Sequence, residues 1–332
     1  MDKRGLLDLM IIRIPGLSAA GQLKLVKAFG EEGELTGLSK RDIEGITGRS
    51  PDRYSWTMDA LRARAEGDAE AARLRGIAYV SYVSPGYPPL LRELWDPPAV
   101  LFYRGALPDP EKPLAAVVGT RRPSGAGAAA AYDMARALAR GGVPVVSGLA
   151  LGIDAMAHRG NLEGGGATLA VLGSGLDQIY PASNRMLARR ILETGGALIS
   201  EYPPGTGPQK WHFPARNRII SGLARGTLIV EAPRSSGALI TAQFALDQGR
   251  DLWVASAGIA SPLGEGNRKL AEEGARIVSS AGDILAEWGL PGREDGGSGP
   301  GGQEPGPGEP GCSRGAALAS SLARSLNIVY ED

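Results

Sequence analysis

The chain has 332 residues, with 36 Lys and Arg against 36 Asp and Glu and a hydrophobic fraction of 43%. That length supports one sizeable core plus a smaller domain, and zero net charge excludes a uniformly basic protein that coats duplex DNA while leaving room for a local basic cleft. A single cysteine, Cys312, excludes an intrachain disulfide framework and fits a reducing compartment.

No apolar run reaches the roughly 18 residues of a membrane span, so no membrane partner is expected. Residues 1–16 carry a short apolar run after a basic start. Arg13 and Pro15 break it, and no small-residue cleavage site follows. Cytoplasm is therefore expected rather than secretion. Next, Ile14-Pro15-Gly16-Leu17 opens a helix ending near Phe29-Gly30. Glu44-Gly45-Ile46-Thr47-Gly48 reads as a turn, followed by a helix start at Ser50-Pro51-Asp52. Residues 1–70 thus predict a small helical domain similar to SAM or helix-hairpin-helix modules. Tyr87-Pro88-Pro89, Asp96-Pro97-Pro98 and Leu107-Pro108-Asp109-Pro110 follow. Proline fixes φ and removes donors, so residues 71–112 predict an extended connector packed on the main domain.

Residues 113–290 alternate short apolar strands with helices. Strands are expected at 115–119, 143–147, 167–172, 197–200, 227–231, 252–255 and 276–278. Helices are expected at 126–140, 153–162, 183–194, 216–223, 238–248 and 267–273. Repeated βαβ units build an α/β domain: an extended Rossmann-like, doubly wound, mostly parallel sheet. Residues 291–315 hold ten Gly and five Pro and predict a disordered linker. Residues 316–332 form a C-terminal segment too short to fold alone.

In open parallel sheets, ligands bind beyond the carboxyl ends of the strands. Four such ends here are glycine-rich: Gly119-Thr120-Arg121-Arg122-Pro123-Ser124, Ser147-Gly148-Leu149-Ala150-Leu151-Gly152, Gly173-Ser174-Gly175-Leu176-Asp177, and Glu231-Ala232-Pro233-Arg234-Ser235-Ser236-Gly237. Small residues let backbone N–H groups and helix N-termini approach phosphate. The alternative is that the glycines only make tight turns. A dinucleotide would want Gly-x-Gly-x-x-Gly, but Gly119, Gly125 and Gly127 have the wrong spacing, and Ser147 stands where a ribose-binding acid would. No Gly-Lys-Ser/Thr loop is present, so NAD and ATP both fail and no cofactor is expected.

The run from Lys210 through Trp211, His212, Phe213, Arg216, Asn217 and Arg218 mixes cations, aromatics and an amide. Cations neutralise phosphates and aromatic faces stack on unpaired bases, a combination suited to a single strand. The competing reading puts Phe213 in the core and Arg216 or Arg218 in structural ion pairs. Catalytic chemistry is poorly supplied. The two histidines, His158 and His212, form no metal cluster, Asp154 and Asp177 read as caps, and no nucleophile elbow is present.

These ordered motifs, with Tyr180-Pro181, Ser200-Glu201-Tyr202-Pro203-Pro204-Gly205, Phe213-Pro214 through Gly222, and Ser236-Gly237-Ala238-Leu239-Ile240-Thr241-Ala242, resemble the DNA-processing protein A (DprA/Smf) family over residues 75–290. The resemblance implies a non-catalytic protein that binds single-stranded DNA, dimerises, and helps load the RecA recombinase during natural transformation. It implies Arg121, Lys210 and Phe213 as main DNA contacts, with backbone donors from Ser147-Gly148 and Gly173. The full expected DNA-binding set is Gly119, Thr120, Arg121, Ser124, Ser147, Gly148, Gly152, Gly173, Lys210, Phe213, Arg216, Asn217, Arg218 and Gly237. Three departures stand out: Leu151 where the family usually has Arg, Gly264-Glu265-Gly266-Asn267 in place of Gly-Thr-Asn, and no room for a C-terminal winged helix. The alternative function is a nucleotide or nucleoside-phosphate hydrolase, which needs a Pro-Gly-Gly-x-Gly-Thr-x-x-Glu run that the 231–237 strand end lacks.

Overall fold

The structure, a computed structural model, describes residues 3–49, 51 and 55–291. Expectations on Ser50, Asp52, the 292–315 part of the linker and the 316–332 segment lie outside the described residues.

Among the described residues, five α-helices open the chain: α1 (Lys3–Ile12), α2 (Ala19–Ala28), α3 (Glu32–Thr36), α4 (Lys40–Thr47) and α5 (Met58–Leu74). Then follow β1 (Ala78–Ser81), α6 (Pro89–Arg92), β2 (Val100–Gly105), β3 (Ala115–Val118), α7 (Gly125–Arg140), β4 (Val145–Ser147), α8 (Ile153–Glu163), β5 (Leu169–Val171), α9 (Arg185–Glu193), β6 (Ala197–Ser200), α10 (His212–Leu223), β7 (Gly226–Ile229), α11 (Gly237–Asp247), β8 (Asp251–Ala255), α12 (Ser256–Ala260), α13 (Glu265–Glu272), β9 (Arg276–Val278) and α14 (Ala281–Glu287).

The strands form one sheet in the order β1-β2-β6-β5-β4-β3-β7-β8-β9. From β3 to β9 every pairing is parallel, while β1 and β2 join antiparallel at one edge. Strands β3 through β7 are buried at every position, as helices on both faces require. Alternation along each strand splits the core. Ala116, Val118, Val146 and Leu169 face α6, α10, α11 and α13, through residues such as Leu91, Ile220, Leu239 and Leu270. Ala115, Val117 and Val145 face α7, α8 and α14. Gly160 lets α7 and α8 pack tightly, since a Cβ there would sit 2.0 Å from the Tyr132 carbonyl oxygen.

The segment expected as connector does more than connect. Its residues 78–105 supply β1, α6 and β2, so the prolines flank strands instead of replacing them. The N-terminal helices share a continuous core with the sheet, with Leu9, Ile11, Leu25 and Leu61 in one cluster with Phe102 and Leu198. Arg13 ties α1 to α5 through a bidentate pair with Asp68 at 2.6 and 2.5 Å. The turn expected at 44–48 is instead the end of α4. Ser39 and Asp42 form its capping box, and Gly48 closes it at φ 75°. The apolar run near the N-terminus is helix α1, whose buried side chains explain its hydrophobicity.

Candidate functional site

The chain crosses from β6 back to β7 on the far side of β3, so the sheet reverses direction of growth between β3 and β7. Loops leaving two such strands diverge and leave a crevice. Here that crevice is a cleft of about 850 Å³. Its walls are the β3–α7 loop with Gly119, Thr120 and Arg121, the start of α10 with Lys210, Phe213, Arg216 and Asn217, and the start of α11 with Gly237. Eight of the fourteen expected residues therefore line one space.

The mouth is an aromatic and cationic cluster. The Arg121 guanidinium lies 5.7 Å from the centroid of the Phe213 ring. On the same ring Tyr180 packs at 5.4 Å, tilted by 45°. Phe213 is half-buried, while Arg121, Tyr180 and Lys210 are exposed. Next to Lys210, Trp211 is 67% exposed. Asn217 Nδ2 donates to the Gly237 carbonyl oxygen at 3.3 Å, tying α10 to the start of α11. Sequence reasoning did not select Tyr180, Arg122, Ser235 or Ser236, all of which line the cleft. Tyr180 was visible only as a tyrosine before a proline, 33 positions from the ring it meets.

Below the mouth the polar groups are already engaged. Arg216 is 4% exposed. Its Nη1 donates to the carbonyl oxygens of Gly148, at 2.9 Å, and Val171. It joins the ends of β4 and β5 and faces Asp154. Burial pulls the guanidinium down to about 10, against the opposing pull of Asp154. Asp154 Oδ2 accepts from the Gly148 and Ala150 N–H groups at 3.1 and 3.3 Å. Burial raises its carboxyl above the usual range, again partly offset by Arg216. A Cβ at Gly148 would collide with both side chains, 2.7 Å from Arg216 and 2.8 Å from Asp154.

Six expected residues are set apart from the large cleft. The Gly148 N–H, expected to donate to phosphate, donates to Asp154 instead. Ser147 is fully buried, and its hydroxyl donates to the Val117 carbonyl. Gly152, at φ 75°, packs its α-carbon against the Thr120 and Arg121 carbonyls. Gly173 lies under Phe213, and its carbonyl bonds to His212 Nδ1 at 3.1 Å. Ser124 caps α7 and donates from both N–H and hydroxyl to Glu231, each at 2.7 Å. Arg218 turns away into a buried ion pair with Glu201 and Asp96. The structural alternative thus holds for Arg218, because positions 216 and 218, two residues apart on α10, point about 200° apart.

His158 is a packing residue. Its Nδ1 meets Thr168 Oγ1 at 2.8 Å, and that hydroxyl donates onward to Val145. Burial, with the nearby Arg216 charge, lowers its pKa to about 3. A His with a depressed folded value gives stability that is full above the unfolded value near 6.5 and is lost as pH falls toward 3. Urea unfolding should therefore show stability dropping by about 1 kcal/mol per pH unit between pH 6.5 and 5, where most carboxylates stay ionised. His212, also lowered by burial, adds in the same direction. A His158→Gln variant should flatten most of that slope, and an unchanged slope would place the titration elsewhere.

Among the described residues no group of three or more His, Cys, Asp or Glu is arranged to hold a metal. Among them, too, no helix is long and apolar enough to cross a membrane.

Comparison with known proteins agrees with this architecture. The chain is 45% identical over 272 residues to a DNA processing protein DprA of Streptococcus pneumoniae, covering 80% of this chain and 93% of that one. A Bacillus subtilis DNA processing protein DprA is 42% identical over 224 residues, covering 67% of this chain and 74% of the relative. Among solved structures, DNA processing protein A from Streptococcus pneumoniae superposes with a TM-score of 0.69 at 35% identity, covering 86% of this chain and 98% of that one. DNA processing protein A from Helicobacter pylori, solved for its single-stranded DNA binding mode, gives 0.56 at 28% identity, covering 64% and 95%. The family model described as DNA recombination-mediator protein A matches residues 78–289, and with that span and these identities the chain belongs to the DNA recombination-mediator protein A family.

Proposed function

We propose that this protein binds single-stranded DNA in the cleft between β3 and β7, shields it, and passes it to the RecA recombinase without chemical turnover. The observation that carries the reading is the mouth of the cleft. Exposed cations Arg121 and Lys210 flank the Phe213 and Tyr180 rings. Cations take phosphates, and ring faces take bases, which only an unpaired strand offers. The relative solved for its single-stranded DNA binding mode supports the same ligand. RecA transfer, a homodimer, a cytoplasmic site of action and a role in natural transformation rest on the family resemblance. Light scattering of the full chain tests the dimer.

The hydrolase alternative draws no support from the cleft. Asp154, in the first turn of α8, is committed to the Gly148 and Ala150 N–H groups, and Glu231, after β7, to the Ser124 N–H and hydroxyl, so neither is placed to activate water.

A salt titration comparing oligothymidylate with duplex DNA of equal length tests the proposal. Tighter binding to the single strand, falling linearly in log–log form with salt, is expected. Preference for duplex, or indifference to both at low salt, would overturn it. Within that assay Phe213→Ala should weaken binding by about 1–3 kcal/mol, roughly 5- to 150-fold. Its salt slope should stay near wild type, because stacking releases no counterion. A parallel loss of slope would mean the cations had moved with the ring.

A further inference from the structure

The helix that follows the first strand of a parallel crossover sheet is the usual seat of a nucleotide phosphate, because its N-terminal N–H groups and dipole face the crevice. In this protein that seat is α7, and it is already filled from within. Glu231, at the end of β7, is fully buried. Its Oε2 accepts the Ser124 N–H and its Oε1 accepts the Ser124 hydroxyl, both at 2.7 Å. Gly127, in the first turn, would place a Cβ 2.7 Å from Oε2 and 2.8 Å from the carboxyl carbon. Its lack of a side chain is what admits the carboxylate. The Glu231 backbone carbonyl also accepts the Thr120 N–H at 2.7 Å. The carboxylate is therefore anchored at the strand end, with its charge against the positive end of a 16-residue helix.

We propose that Glu231 is a specificity-determining residue, a built-in phosphate mimic that closes the α7 terminus to nucleotide phosphates. A mononucleotide or dinucleotide that placed its phosphate there would have to displace a buried carboxylate bound by two charge-assisted hydrogen bonds. Ser124 and Glu231 accordingly lie outside the lining of the cleft, whose walls come from the β3–α7 loop before Ser124 and from the starts of α10 and α11. The sheet keeps the geometry of a nucleotide-binding domain while its cleft is left to a ligand that runs past the blocked seat. That ligand rests on the single-strand reading above; the plug itself does not.

The test is anion rescue of Glu231→Ala. The substitution deletes a carboxymethyl group, so acetate and inorganic phosphate are the two probes, each compared with chloride at equal ionic strength. The full-length variant should melt below wild type in chloride and recover about 1–2 °C in phosphate, the shift that about 1 kcal/mol of linked binding gives a chain of this size. Wild type should rise less in phosphate than the alanine variant, because general salting and the Arg121 and Lys210 cations act on both proteins alike. Glu231→Gln, which keeps the space filled without the charge, should show less rescue than the alanine variant. Recovery in acetate alone would overturn the phosphate-mimic assignment, as would an alanine variant that stays unfolded in all three salts. An equal phosphate response in wild type or in Glu231→Gln would place the anion elsewhere and overturn it too. Oligothymidylate binding by wild type, measured alongside, reports separately on the single-strand reading.

Discussion

Arg218→Ala is expected to remove about 3–5 kcal/mol of stability, the usual consequence of breaking a buried ion pair from one side. Arg218 is 4% exposed. Its Nη1 and Nη2 fork onto Glu201 at 3.3 and 2.7 Å, and its Nε reaches Asp96 at 3.0 Å. Burial alone would lower the guanidinium, but Glu201 and then Asp96 outweigh it and hold the pKa above its ordinary value. One side chain thus ties α10 to the end of β6 and to the loop before β2. Asp96 is partly solvated, so most of the loss comes from Glu201, which would be left buried without its partner. Replacing both, Arg218→Met with Glu201→Gln, should recover much of the loss, which is the signature of a coupled pair. Denaturant unfolding measures all three proteins. Oligonucleotide affinity per folded molecule, and its salt slope, should not move, because Arg218 does not line the cleft. A slope reduced by one contact in a protein of wild-type stability would make Arg218 a phosphate ligand and sink this assignment.

The contrast between residues 216, 218 and 121 shows what could be read from the chain alone. Alternation of apolar runs with helical stretches predicted the parallel sheet, because strands buried on both faces must be apolar throughout. Glycine-rich strand ends marked the edge where the cleft opens, because the sheet's polarity places them at one edge. Which polar group within those ends faces the cleft could not be read, because that depends on partners distant in sequence. Ser124 and Glu231 are 107 positions apart, and Arg216 meets carbonyls 68 and 45 positions away. Asn267 behaves likewise. It belongs to the segment that departs from the family pattern, which is the first turn of α13, and its side chain accepts the Ala232 N–H at 2.7 Å and donates to the Ile229 and Val230 carbonyls, so it clamps the end of β7. Short helices were missed for a different reason. Residues 256–260 and 281–287 are too brief for a periodic pattern to emerge. Leu151, where a cation was expected by resemblance, is an exposed apolar residue beside Tyr180 and Phe213. It extends the apolar flank of the mouth, and the exposed cations lie on the α10 and β3 sides.

That division puts the largest expected loss of DNA affinity on Arg121. Arg121 lines both the main cleft and the small recess beneath Tyr180. A hydrogen bond to a charged group contributes about 1.5–3 kcal/mol, so Arg121→Ala should weaken oligothymidylate binding roughly 10- to 150-fold. Its log–log salt slope should fall by about 0.7, the single-strand value for one phosphate. Lys210→Ala should give a similar change in slope with a smaller loss of affinity. Lysine is a point charge on a flexible stem, and its neighbour here is the exposed Trp211 rather than a ring it holds in place. Arg121 also lies over Phe213, so removing it frees the ring on which a base would stack, and the two changes should couple in a double-mutant cycle with Phe213→Ala. Lys210→Ala and Phe213→Ala should add independently. Both cations are exposed, so either alanine variant should keep wild-type stability within about 0.5 kcal/mol, and altered binding can be assigned to the interface. Fluorescence anisotropy at four or more salt concentrations resolves slope from intercept. If the slope survives removal of both cations, the strand is held by other charges, and the cleft between β3 and β7 is not its path.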